Sequence, residues 1–71
     1  MTKNELRSKL RRAGFHVYQN GEWLEVLTSP REMFDALARD NSADELRAIR
    51  AAVIVQFAGD HGEWMLLRVA S

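Results

Sequence analysis

Seventy-one residues without a cysteine suffice for one small domain and exclude disulfide staples and thiolate metal sites. Ten basic and ten acidic side chains cancel to zero formal charge. That argues against a chain built mainly to hold nucleic-acid phosphates, since such binders carry a clear positive excess. The longest strongly apolar stretch, Ala51 to Phe57, is far too short to span a bilayer. The N-terminus, Met1-Thr2-Lys3-Asn4-Glu5-Leu6-Arg7, has no apolar signal region. A cytoplasmic protein without membrane contact is expected, and the initiating Met and compact length fit a complete gene product.

Three helix starts share one chemistry. Thr2-Lys3-Asn4-Glu5, Ser29-Pro30-Arg31-Glu32 and Ser42-Ala43-Asp44-Glu45 each fit a capping box, in which a hydroxyl and a Glu carboxylate satisfy two free backbone amides. The first helix is expected over Lys3–Arg12, with Leu6, Leu10 and Ala13 inward. Gly14 should end it. Phe15-His16-Val17-Tyr18-Gln19 then alternates as a strand, Asn20-Gly21 signals a hairpin turn, and Glu22-Trp23-Leu24-Glu25-Val26-Leu27 returns. Phe15, Val17, Leu24 and Val26 should face the core, with Tyr18 and Trp23 on the opposite face.

Pro30 opens a second helix expected to reach Arg39, with Met33, Phe34, Leu37 and Ala38 inward, and Asp40-Asn41 should break it. A third starts at Ser42 and should bury Leu46 and Ile49. From Ala51 to Ala58 two readings compete. As a helix, Leu46, Ile49, Val53 and Phe57 keep one stripe; as a strand, Val53-Ile54-Val55 is a β-branched run that resists helix. The strand is preferred. A turn at Gly59-Asp60-His61-Gly62 and a strand from Glu63 to Val69 complete the chain.

A near-repeat supports that preference. Glu5-Leu6-Arg7 recurs 40 residues later as Glu45-Leu46-Arg47, and Gly21-Glu22-Trp23 recurs 41 residues later as Gly62-Glu63-Trp64. Residues 3–28 and 43–70 would then each form a helix leading into a hairpin. The expected fold is one α+β domain, three helices and a small antiparallel sheet of two hairpins in the order αββααββ.

The charges are segregated. Residues 1–20 carry Lys3, Arg7, Lys9, Arg11 and Arg12 against Glu5, a balance of +4, while residues 21–48 carry a balance of −4. Lys3, Arg7 and Arg11 recur every four residues and form a basic face that could meet phosphate. Catalysis is not expected, because His16 and His61 are the only histidines and no Cys can pair with either. Asp40-Asn41-Ser42-Ala43-Asp44-Glu45 imitates a calcium loop, but it lacks the Gly at loop position six and has Ala51 at position twelve. No metal, cofactor or phosphate-loop site is expected. Two Trp and one Tyr in so small a chain point instead to a protein partner, since these side chains are enriched at binding hot spots.

The run from Glu5 to Val26 resembles the TubC-type N-terminal docking domain of modular peptide synthetases. The shared pattern is a Leu- and Arg-rich helix ending in Gly14, a short strand, a Gly-type turn at Asn20-Gly21-Glu22, and a second strand with Leu24. The likeness covers about 25 of 71 residues; Gly62 to Ser71 has no counterpart, and the Lys expected in the last helix is absent. It implies an αββαα fold that takes up a partner strand on its hairpin, with Glu22 to Leu27 facing the partner. The same half is also similar to HicA toxins, although Glu22-Trp23 stands where their catalytic His follows the hairpin Gly.

The expected function is therefore a non-catalytic protein-binding module, a docking domain or a small phage-type or mobile-element-type regulator of a larger assembly. The expected contact residues are Lys3, Arg7, Arg11, Arg12, Tyr18, Trp23 and Glu25, and a homodimer is a further expectation. A nucleic-acid-binding regulator using the first helix is the alternative, and a HicA-like ribonuclease is the third reading.

Overall fold

The computed structural model describes residues 1–59 and 64–70. Its elements run α1 (Lys3–Arg12), β1 (Val17–Asn20), β2 (Trp23–Val26), α2 (Pro30–Leu37), α3 (Ala43–Ala52), β3 (Val53–Ala58) and β4 (Trp64–Val69). All strand pairs are antiparallel, and the sheet order is β1-β2-β4-β3. The α+β class expected from the sequence is what the chain adopts.

The helix ends follow from their capping residues. Thr2, Ser29 and Ser42 each accept from the amide three residues on. Only Ser42 forms the full reciprocal box, with the Glu45 carboxylate accepting from the Ser42 amide at 3.0 Å. At α2 the Glu32 carboxylate instead accepts from the Thr28 hydroxyl at 3.2 Å. At the far end of α1, Gly14 takes φ 101°. There Phe15 N–H donates to Leu10 O and Gly14 N–H to Arg11 O, the paired bonds of a Schellman ending.

Helix α2 is shorter than expected. It stops at Leu37, because the Asn41 side-chain amide takes the Leu37 carbonyl at 2.8 Å. Ala38 is consequently exposed, while Ala36 is buried. The hairpin turn is also displaced by one residue. Asn20 pairs with Trp23, so Gly21-Glu22 forms the turn. Gly21 has φ 63° and Glu22 has no positive φ, which suits a turn with Gly at its first central position.

Helix α3 passes into β3 with no intervening residue. Val53 already has extended angles (φ −107°, ψ 130°), although its amide still donates to Ile49 O as the last helical bond. The β-branched run Val53-Ile54-Val55 explains the switch. The ambiguous segment after Ala51 is thus a strand. The turn expected at 59–62 and the strand start at Glu63 fall, apart from Gly59, outside the described residues.

One side of the sheet carries all three helices. Leu6 and Leu10 from α1, Met33, Phe34 and Leu37 from α2, and Ile49 from α3 pack on Val17, Leu24, Val26, Met65 and Leu67. Phe15, Ala13, Leu46, Val53, Val55 and Val69 are partly buried at its margin. The Arg50 guanidinium lies 4.1 Å from the Phe34 ring centroid and ties α3 to α2. Among the described residues, no helix is long and apolar enough to cross a membrane.

The sheet has a near two-fold arrangement. The central pairs are Leu24 with Leu67, Glu25 with Leu66 and Val26 with Met65. At the offset of 41 residues that relates Trp23 to Trp64, each of Leu24 and Val26 pairs with the counterpart of the other. The helices do not follow this arrangement. Four residues separate α1 from β1 and none separates α3 from β3, and α2 has no counterpart.

Two outcomes test this account. Leu24→Ala, at the centre of the core, is expected to cost about 3 kcal/mol, a large share of a total of about 5–15 kcal/mol, read as a lower urea midpoint. Glu45 provides the second. The Ser42 amide and hydroxyl, with Lys9 nearby, hold its carboxyl below the ordinary value. A depressed folded-state pKa gives stability that is whole above the unfolded value and is lost as pH falls through the folded one. Glu45→Gln should therefore melt below the wild type at neutral pH, and the gap should close as pH drops below about 4.5.

Candidate functional site

Strand alternation that buries Leu24, Val26, Met65 and Leu67 turns the intervening side chains to the other side. Tyr18, Trp23, Glu25, Ile54, Gln56, Trp64, Leu66 and Arg68 occupy that face. Among the described residues no helix covers it. The register sets a row across all four strands: Tyr18 beside Glu25, Glu25 beside Leu66, and Leu66 beside Gln56. Tyr18 is 56% exposed, and both Trp side chains are half-buried. Neither Trp belongs to the core.

Arg68 organises one end of the face. Its guanidinium lies 5.2 Å from the Trp23 ring centroid, and its Nη1 is 3.6 Å from Glu22 Oε2. Its Nε is shielded from solvent and has no hydrogen-bond partner among the described residues. Beside it lies an open groove of about 460 Å³, lined by Met1, Glu22, Ile54, Arg68 and Val69 among others. The arrangement is an apolar and aromatic surface with Glu25 within it and Glu22 and Arg68 at one end. It can take up apolar side chains.

The structure divides the sequence-predicted contact residues between the two sides. Tyr18, Trp23 and Glu25 stand on the open face. Lys3, Arg7, Arg11 and Arg12 belong to α1, whose Leu6 and Leu10 pack on the covered side. Two of these cations brace the first hairpin. Lys3 Nζ donates to Gly21 O at 3.4 Å, and Arg7 donates to Gln19 Oε1 at 2.8 Å and to Asn4 Oδ1 at 3.2 Å. Lys9 is also engaged, with Asn41 Oδ1 at 3.0 Å and Glu45 Oε2 at 3.8 Å. Arg11 and Arg12 are exposed.

The topology also changes the role of β2. The resemblance to docking domains implies a partner strand beside Glu22 to Leu27. That side is filled by β4 of the same chain, so β2 is central and only β1 of the first hairpin is an edge. Side chains of β2 can still meet a partner, but its backbone cannot.

Ile54, Trp64, Leu66 and Arg68 complete the site and were missed by reasoning from the first hairpin alone. The signal for Trp64 was present in the near-repeat. For Leu66 and Arg68 it was the two-residue period of β4, once Met65 and Leu67 are taken as core. His16 is exposed in the segment before β1, and His61 lies outside the described residues. Among the described residues, no cluster of three His, Cys, Asp or Glu side chains could hold a metal. No family model matches the chain, and no curated protein or solved structure is significantly similar to it.

The Arg68 contact with Trp23 has a direct readout. In a Trp64→Phe background, Arg68→Gln should shift the emission of the remaining Trp23. It should also cost about 1 kcal/mol, the scale of a partly exposed cation–π contact. Unchanged emission would show that the guanidinium does not sit on the ring in solution.

Proposed function

We propose that this chain is a non-catalytic protein-binding module whose partner rests on the open sheet face. The observation that carries the reading is the set of Tyr18, Trp23, Trp64 and Leu66 on a side of the sheet that no helix covers. An apolar centre with a polar margin is the usual anatomy of a protein interface, and Trp, Tyr and Arg are its commonest anchors. Glu22 and Arg68 supply charge at one end of the face, and Glu25 stands within it between Tyr18 and Leu66. The reading includes a cytoplasmic setting, no cofactor and no enzymatic activity. It fits a docking domain or a small regulator seated on a larger assembly.

The nucleic-acid reading is weaker because three of the five α1 cations already hold intramolecular partners. Released counterions favour phosphate binding only where the cations are free to make contacts.

The test is affinity capture from native lysate with mass-spectrometric identification. One specific protein should be retained by the wild type and by Arg11→Glu plus Arg12→Glu, and lost with Tyr18→Ala plus Trp23→Ala. Recovery of nucleic acid without protein, with loss on the arginine changes, would replace this reading with the alternative.

A further inference from the structure

The sheet has two edges, and they differ. The β1 edge is four residues long and polar, Val17-Tyr18-Gln19-Asn20, and its Gln19 side chain is held by Arg7. The β3 edge is six residues long, Val53-Ile54-Val55-Gln56-Phe57-Ala58, with no charge, no Pro and no Gly. Soluble proteins usually protect such an edge with a charge, a Pro, a bulge or a covering element. Phe57, near its far end, is 58% exposed.

The free backbone groups of this edge can be assigned. Ala70 N–H donates to Ala52 O at 2.7 Å, which fixes the phase of the β3–β4 ladder. In an antiparallel pair, hydrogen-bonded and non-hydrogen-bonded residues alternate. Ile54 with Arg68 and Gln56 with Leu66 are therefore hydrogen-bonded pairs, and Val53, Val55 and Phe57 turn their backbone groups outward. Val53 N–H is already given to Ile49 O. Among the described residues, what remains is the carbonyl of Val53 and both groups of Val55 and of Phe57.

We infer that the β3 edge is occupied by the β3 edge of a second copy, antiparallel and centred on Val55. In that register the two Val55 residues exchange both backbone bonds, and each Phe57 N–H donates to the Val53 carbonyl of the other copy. The one donor that the edge lacks, at Val53, faces only a Phe57 carbonyl, which water can satisfy. On the helix side Val53 stands opposite Phe57 in both directions, an aromatic and β-branched pair of the kind that stabilises sheets. On the open side Ile54 stands opposite Gln56. No like charges meet, because β3 carries none. The contact is two-fold and self-complementary, so it closes at two copies, and the unlike β1 edge does not propagate it. A short chain with a small core gains most from such pairing.

Sedimentation equilibrium of the full chain tests this. The wild type should show the mass of two copies, and Phe57→Lys should fall to the mass of one while keeping its circular dichroism. Because the chain has no cysteine, a single Val55→Cys reports the register. It should oxidise to a disulfide-linked dimer under native conditions, whereas Asn20→Cys on β1 should not. A wild type that stays monomeric across its soluble range overturns the inference. So does a folded Phe57→Lys that stays dimeric, or equal cross-linking at both sites. If Phe57→Lys does not fold, the cross-linking comparison decides alone. Tyr18→Ala plus Trp23→Ala should leave the dimer intact, so failure here and failure of the proposed partner surface are distinguishable.

Discussion

The contact on which the rest of the structure depends is the pairing of β2 with β4. It places Leu24 beside Leu67 and Val26 beside Met65, four side chains with no exposure, under the three helices. The side-chain period of a strand is two, so a one-residue slip of β2 would bring Trp23 and Glu25 to the core side, and a slip of β4 would bring Leu66 and Arg68 there. Either way a charged side chain, Glu25 or Arg68, would be buried among apolar ones, which is costly. The register is thus fixed by the charged residues of these strands as much as by the apolar ones. This pair also joins two otherwise separate hairpins into one sheet, which neither could stabilise alone.

That constraint determines what is left over. Burying one face of a four-stranded sheet under three helices uses the buried apolar residues of every helix and leaves no helix among the described residues to cover the other face. Two half-buried Trp side chains and Leu66 on the uncovered side are the consequence. The same pairing fills the outer side of β2 with β4, which leaves β1 as the edge of the first hairpin and β3 as the other edge of the sheet. Among the described residues only β1 is braced, through Arg7 and Gln19. Three cations of α1 act as struts: Lys3 to the hairpin turn, Arg7 to β1, and Lys9 to the α2–α3 connection. Arg11 and Arg12, which the sequence groups with Lys3 and Arg7 as a contact surface, are exposed.

Much of this was legible in the residues. The three Ser or Thr caps located every helix start, because a hydroxyl three residues before a receptive amide is a local arrangement that needs no tertiary information. Gly14 marked the end of α1 for the same reason. Asp40-Asn41 was legible as the break after α2, but the helix's last residue was not, since it depends on the Asn41 side chain folding back onto the Leu37 carbonyl. The strand nature of Val53 to Ala58 was readable from its β-branched run together with the echo of the first hairpin in the second. Three residues of the open face, Tyr18, Trp23 and Glu25, could be read from alternation in the first hairpin. The side of β4 on which Arg68 stands follows from the same period, but its place beside Trp23 does not, because that depends on which strand lies beside β2, and strand order is a long-range property. Nor could the engagement of Lys3 and Arg7 be read, since charge spacing on a helix does not report what faces it across the fold.

The two surfaces that remain are independent in chemistry. The open face offers side chains, and its neighbours are set by Trp23 and Arg68. The β3 edge offers backbone groups, and its neighbours are set by the phase of a ladder. A partner on the face lies perpendicular to the sheet, whereas a strand on the edge lies in its plane, so one chain can hold both at once. Pairing two copies through β3 would place two open faces on one continuous sheet, with Ile54 and Gln56 of each copy between them. A partner bearing two contact segments would then be held more tightly than one bearing a single segment, because its second contact is made at high effective concentration. The β3 edge would in that way govern the strength of what the open face binds without touching it.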